Sequence, residues 1–223
     1  MRDLADPKQA EVARRYFKTG PGEYGEGDQF LGIRVPVTRK VAAEHRDLPL
    51  SDVAVLLASS WHEERLLALL IMVRQYSRGD VAQRETLFRL YLRHTKHINN
   101  WDLVDTSAEF IIGPHLPPKE RVRLTSLARS HSVWERRIAV LATRHYIKQG
   151  EFDDTLCIAR LLLKDDHDLI HKAVGWMLRE IGDRDRAVEE TFLQQHVRTM
   201  PRTMLRYAIE KFPERLRQSY LKA

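Results

Sequence analysis

Ser60-Trp61-His62-Glu63-Glu64-Arg65-Leu66 resembles Ser132-Val133-Trp134-Glu135-Arg136-Arg137-Ile138, and superposing Arg65 on Arg137 separates the two stretches by 72 residues, two units of 36. Trp101 falls midway between them, Lys172 lies 35 residues beyond Arg137, and Arg206 a further 34. A period of 34 to 36 residues suits a helix pair and signals a helical-repeat solenoid. Apolar residues around these positions recur at helical spacing: Leu66, Leu67, Leu70 and Ile71, then Ile138, Leu141, Ala142 and Tyr146. Pro114, Pro117-Pro118, Gly150, Gly182, Pro201 and Pro213 punctuate the helices, and alternating runs long enough for a strand are scarce. The expectation is an all-α solenoid, a single domain over residues 1–223. Its equivalent positions should open successive helices and line one concave basic surface. Four of those five positions are Arg or Lys; the exception is Trp101.

The chain has 223 residues, 43% hydrophobic and 30% charged, a composition of soluble globular proteins. Its longest apolar runs, such as Leu66 to Val73, are too short to span a bilayer, so no membrane partner is expected. Charge from Arg2 and Asp3 onward leaves no apolar signal core, so a cytoplasmic location is expected, and a monomer is expected. One cysteine, Cys157, precludes an internal disulfide and a cysteine-rich zinc site; within Leu156 to Leu163 it reads as a small buried hydrophobe. The net charge of +6 points to a polyanionic partner. Between residues 121 and 150 seven Lys or Arg accompany a single acid, Glu135, whereas Asp165, Asp166, Asp168, Asp183 and Asp185 cluster farther on. Segregation of this kind suits a protein with one surface toward phosphate.

Asn99-Asn100-Trp101-Asp102-Leu103-Val104-Asp105 carries the chemistry. Either asparagine can cap a helix, and Asp102 in the first turn then favours the helix dipole, a structural duty. Trp101 and Asp105, four apart, share one helix face. An indole beside a carboxylate fills a core poorly but suits a substrate that becomes cationic; the lesser alternative for Asp105 is a solvated surface acid. Trp176 is core or ligand contact, and Gly175 before it implies close approach of a neighbouring helix or a ligand, since glycine costs a helix about 1 kcal/mol relative to alanine. Gly20-Pro21-Gly22-Glu23-Tyr24-Gly25 matches the dinucleotide-binding pattern literally. No strand precedes it, and Glu23, Glu26 and Asp28 would repel a pyrophosphate, so it reads as a loop. His167 and His171 have the spacing of a metal-gripping pair, without the glutamate of a zinc-protease motif, and no metal is expected.

Several stretches together resemble the AlkD-type DNA glycosylases, alkylpurine repair enzymes built from HEAT-like repeats. They are Phe30-Leu31-Gly32-Ile33-Arg34-Val35-Pro36, Trp101-Asp102-Leu103-Val104-Asp105, Trp134-Glu135-Arg136-Arg137 and Lys172-Ala173-Val174-Gly175-Trp176-Met177-Leu178-Arg179-Glu180, in the family's order. The resemblance implies a HEAT-like solenoid acting on double-stranded DNA that contains alkylated purines, without a cofactor. It implies Asp105 as the catalytic acid, and Trp101 and Trp176 as the indoles around the lesion's deoxyribose. Arg137 matches an arginine of the DNA cleft, Tyr16 an N-terminal tyrosine facing the backbone, and Arg179 a further basic contact. Lys172 and Arg206 join them as candidate phosphate contacts on the repeat's basic row. The glycine-rich stretch 20–27 departs from the family pattern. No tight pocket for a flipped base is implied. No lysine stands out as an amine nucleophile, so base removal without strand cleavage is expected. The alternative is a non-catalytic helical-repeat scaffold that binds DNA or protein; joint retention of Trp101, Asp105 and Trp176 discriminates against it. A helix-hairpin-helix glycosylase lacks its Gly-rich hairpin here.

Overall fold

A computed structural model describes residues 1–222, and their fold is all-α, of the helical-repeat class. Among these residues the only strand-like pairing is a single bridge between Gln29 and Trp61. The chain divides into two compact units, residues 1–111 and 112–223. No helix is long and apolar enough to cross a membrane among the described residues.

The first unit contains α1 (Pro7–Tyr16), α2 (Val35–Glu44), α3 (Leu50–Leu57), α4 (His62–Arg78), α5 (Val81–Arg93) and α6 (Trp101–Asp105), and α7 (Ala108–His115) begins in it. α4 is its centre. It packs against α2, α3, α5 and α6, and Leu66, Leu69, Ile71 and Met72 are almost wholly removed from solvent. Start signals are explicit in α1, where Pro7 follows Asp6, whose carboxylate accepts from the Lys8 and Gln9 amides. Gly32 has φ +80° and lies so close to Asp6 and Ala10 that a Cβ would collide with their backbone. The Glu63 carboxylate holds this turn by accepting from the amides of Leu31, Gly32 and Ile33 at 2.8–3.2 Å.

The second unit contains α8 (Val122–Ala128), α9 (Val133–Ala142), α10 (Arg144–Ile147), α11 (Asp153–Leu161), α12 (Asp168–Gly182), α13 (Arg186–His196), α14 (Arg202–Ala208) and α15 (Glu214–Lys222). α12 packs on α9, α13 and α14, turning Ile170, Ala173, Val174, Met177, Leu178 and Ile181 inward. Gly175 is explained by a helix rather than a ligand. A Cβ there would sit 2.4 Å from the Met204 carbonyl oxygen and 2.6 Å from the Tyr207 Cβ, so its absence lets α14 lie directly on α12. Cys157 overturns its expectation: it is exposed, because α11 turns Thr155, Ile158 and Ala159 inward and the intervening position faces water.

The repeat is present, with a corrected register. Ser59 Oγ accepts from the Trp61 amide and donates to Glu64, while Arg65 folds back to the Ser59 carbonyl. Ser130 Oγ accepts from the Ser132 amide and donates to Glu135, while Arg136 folds back to the Ser130 carbonyl. Asp165 accepts from the His167 amide, and the His171 ring folds back to the Asp165 carbonyl. Arg65 therefore corresponds to Arg136, not Arg137, and the separation is 71 residues. The row expected to be uniformly presented is not: Arg65 and Arg137 are buried, Trp101 and Lys172 half-buried, Arg206 exposed. In both buried cases a backbone carbonyl takes the guanidinium.

Gly175→Ala should lower stability by about 1–3 kcal/mol, the cost of forcing extra volume into a packed contact. Thermal unfolding should show it as a reduced Tm with native helix content by circular dichroism.

Candidate functional site

Asn100 is the residue that starts α6. Wholly buried, it takes the Trp101 amide on Oδ1 at 2.9 Å and adopts extended backbone, φ −150°. One and a half turns follow. Asp102, Leu103 and Val104 are buried, leaving Trp101 and Asp105 as the two partly accessible residues of the helix. Their common face follows from the four-residue spacing. The negative charge of Asp105 is also felt by Tyr91 on α5: burial first, then this charge, push the Tyr91 hydroxyl well above its usual range, against a hydrogen bond with Ser107.

Aromatic rings from the end of α1 fix the indole of Trp101. Tyr16, 62% exposed, meets it edge-on at 5.9 Å; Phe17 stacks on it at 5.5 Å with 29° between the planes. Phe17 lies in turn at 5.1 Å and 13° from Phe30, and at 4.8 Å from the ring of His62. Sequence analysis put Tyr16 in the site and missed Phe17, Phe30 and His62. An aromatic pair at the end of a helix was the available signal for Phe17.

Beneath these rings runs a chain of buried charges. Asp102 accepts from His62 Nε2 at 2.8 Å, Asp28 lies 3.3 Å from His62 Nδ1, and Arg65 reaches Asp28 at 2.6 Å. Asn99 adds a hydrogen bond to Asp28 at 3.2 Å. Burial would discharge His62, but the charge of Asp102 and hydrogen bonds to Asp102 and Asp28 outweigh burial and Arg65, and raise its pKa to about 9. Burial likewise opposes ionisation of Asp28, yet His62, Arg65 and Asn99 hold its pKa below the usual range. Asp102 thus has a structural duty, more specific than the dipole: it anchors the first turn of α6 to α4.

In the second unit Trp176 is partly accessible, with Nε1 donating to Glu180 at 3.0 Å and the Arg144 guanidinium 5.4 Å from its ring. Burial of Glu180 opposes its charge, but Trp176, Arg144 and Arg184 together keep its pKa low. Arg137 is 5% exposed and donates to the Leu169 carbonyl at 2.6 Å, tying α9 to the start of α12 rather than presenting a free cation. Arg179, mostly buried, pairs with Glu210. Lys172 pairs with Asp168 at 2.6 Å and keeps part of its side chain in water. Arg206 is exposed and has no ion pair among the described residues.

The glycine-rich stretch uses its acids internally. Glu23 accepts from the Gly20 amide and Glu26 from the Gly22 amide, both at 2.9 Å, while Asp28 belongs to the charge chain. His167 Nδ1 accepts the Leu169 amide as a helix cap.

The sequence matches the family model described as DNA alkylation repair enzyme over residues 1–212. Among solved structures it is similar to a protein from Enterococcus faecalis described as a predicted DNA alkylation repair enzyme. That match has a TM-score of 0.70 and 16% identity over 95% of this chain and 98% of the other, a likeness of fold. No curated protein matches the sequence.

Asp102→Asn removes one carboxylate from His62 and should cost about 3 kcal/mol at neutral pH, the usual penalty for breaking a buried pair from one side. A histidine whose folded pKa is raised stabilises fully below its unfolded value near 6.5 and loses that contribution as pH rises through about 9. Denaturant titrations should therefore show the gap between wild type and variant narrowing from about pH 6.5 to about pH 9 and levelling off above it.

Proposed function

The chain belongs to the family of DNA alkylation repair enzymes, and from that premise we propose that it is a monofunctional DNA glycosylase hydrolysing the N-glycosidic bond of cationic N3- and N7-alkylated purines in double-stranded DNA. The observation that carries this reading is the partly accessible pair on α6, Trp101 and Asp105, with exposed Tyr16 beside the indole. An indole face and a carboxylate on one short helix suit a sugar that becomes positive as its bond to the base breaks.

The chemistry asks little else of the protein. An N3- or N7-alkylated purine already carries positive charge and leaves as a neutral base, so no general acid is required. The sugar becomes oxocarbenium-like, as in other glycoside cleavages. A carboxylate about 4 Å from that cation is worth on the order of 4 kcal/mol at an effective dielectric near 20, or roughly a thousandfold in rate. Indole faces add about 0.5–2 kcal/mol each. In this reading Asp105 supplies the charge, Trp101 bears on the sugar, and Tyr16 faces the backbone. Water then completes hydrolysis, leaving an abasic site in an unbroken strand. Selection by leaving-group charge needs no close-fitting base pocket, unlike base-flipping glycosylases.

Phosphate contact falls to the accessible cations. Arg206 is exposed and Lys172 half-exposed, which supports both as backbone contacts. Arg137 and Arg179 are occupied by the Leu169 carbonyl and Glu210, which supports a role in shaping the surface from beneath.

Purified protein should release 3-methyladenine and 7-methylguanine from methylated duplex DNA with chelator present. Asp105→Asn should keep the fold and duplex affinity while slowing single-turnover release by roughly a hundredfold or more. No release by the wild type, or an undiminished rate in the variant, would overturn the assignment.

Arg206→Ala should weaken binding to damaged and undamaged duplexes alike and reduce the salt slope by about one unit. Arg137→Ala should instead lower Tm and leave that slope unchanged. Affinity titrations at several salt concentrations distinguish the two.

A further inference from the structure

We propose that His62, clasped between Asp102 and Asp28 and stacked on Phe30, is a positioning residue for Trp101, acting through Phe17 on the indole plane and through Asp102 on the first turn of α6. The proposal rests on the reading of Trp101 as a substrate contact. His62 itself is 2% exposed and out of reach of DNA.

Each nitrogen of the His62 ring faces a carboxylate, at 2.8 Å for Asp102 and 3.3 Å for Asp28. Ionised carboxylates only accept, so both nitrogens carry protons and the ring is a cation. That cation stacks on Phe30 at 4.6 Å and 22°, and lies 4.8 Å from Phe17 with a 35° tilt, where the rings' negative faces attract it. Phe17 then stacks on Trp101 at 5.5 Å. Asp102, at the other end of the imidazole, is the next residue after Trp101 in the chain. Two routes therefore leave His62 and end on one residue, closing a ring of contacts: His62, Phe17, Trp101, Asp102. Asn100 fixes the Trp101 backbone, and Tyr16 meets the indole edge-on. Loss of His62 opens the ring and frees the indole plane, without removing any group that touches substrate.

The test compares His62→Gln, Trp101→Ala and the double variant in single-turnover base release from methylated duplex. His62→Gln should slow release by about tenfold, within the range a small misplacement costs, with duplex affinity unchanged. In the Trp101→Ala background it should cost distinctly less than tenfold, because coupled residues are non-additive, the remainder being what the first turn of α6 transmits to Asp105. A second readout needs no activity. With Trp61, Trp134 and Trp176 replaced by Phe, acrylamide should quench Trp101 fluorescence more strongly once His62→Gln is added. Additive rate effects, or unchanged release together with unchanged quenching, would overturn the proposal. If the wild type releases no base, the glycosylase reading fails while the quenching still decides this one. Should His62→Gln not fold, Phe17→Leu leaves the charge chain whole and carries the same two expectations.

Discussion

The alternation Asp102, His62, Asp28, Arg65 is the constraint around which the first unit is organised. Its members come from α6, from α4 and from the stretch just before Phe30, so three segments distant in sequence meet at one line of charge. Taking four charges out of water is expensive, and pairing recovers that cost only when the geometry is good. An apolar cluster of the same size would hold the segments together as firmly. What the charges add is direction. A carboxylate accepting at 2.8 Å sets where the first turn of α6 sits on α4, whereas packed methyl groups allow sliding. Because Trp101 and Asp105 are borne by a helix of five residues, its placement depends on that fixed first turn.

Glu63 performs a similar service one residue along α4, gathering three amides of the Leu31 to Ile33 turn. Together Glu63 and His62 bring Phe30 to the rings of His62 and Phe17. The start of α4 is thus less a surface than a junction. Its charged residues, which a pattern reading would send to solvent, are buried because each has a partner.

Much of this was visible in the sequence, and the misses share a cause. Helical spacing and the 34–36 residue period led to the all-α repeat, since apolar periodicity depends on neighbours along the chain. Asn100 as a cap and the shared face of Trp101 and Asp105 followed from equally local rules. Arg137 did not, because an arginine serves a phosphate or a backbone carbonyl with the same donors, and only the fold shows which is in reach. The register slipped by one because Glu135-Arg136-Arg137 offers two arginines to align, and hydrogen bonds alone distinguish them. His62 carried no signal, its partners Asp28 and Asp102 lying 34 and 40 residues away. Cys157 misled through a run of apolar neighbours around an outward position.

The clasps at Ser59, Ser130 and Asp165 bear on how such a chain acquires its structure. Each is satisfied within seven residues, from the capping side chain to the Arg or His that folds back. Contacts that local close quickly, before the entropy of large loops is spent. The starts of α4, α9 and α12 can therefore be set independently during folding, with nucleation at any of them spreading to its neighbours. The long-range charge chain through His62 is the opposite case. It must wait for α6 to arrive, which places completion of the Trp101 platform late in folding.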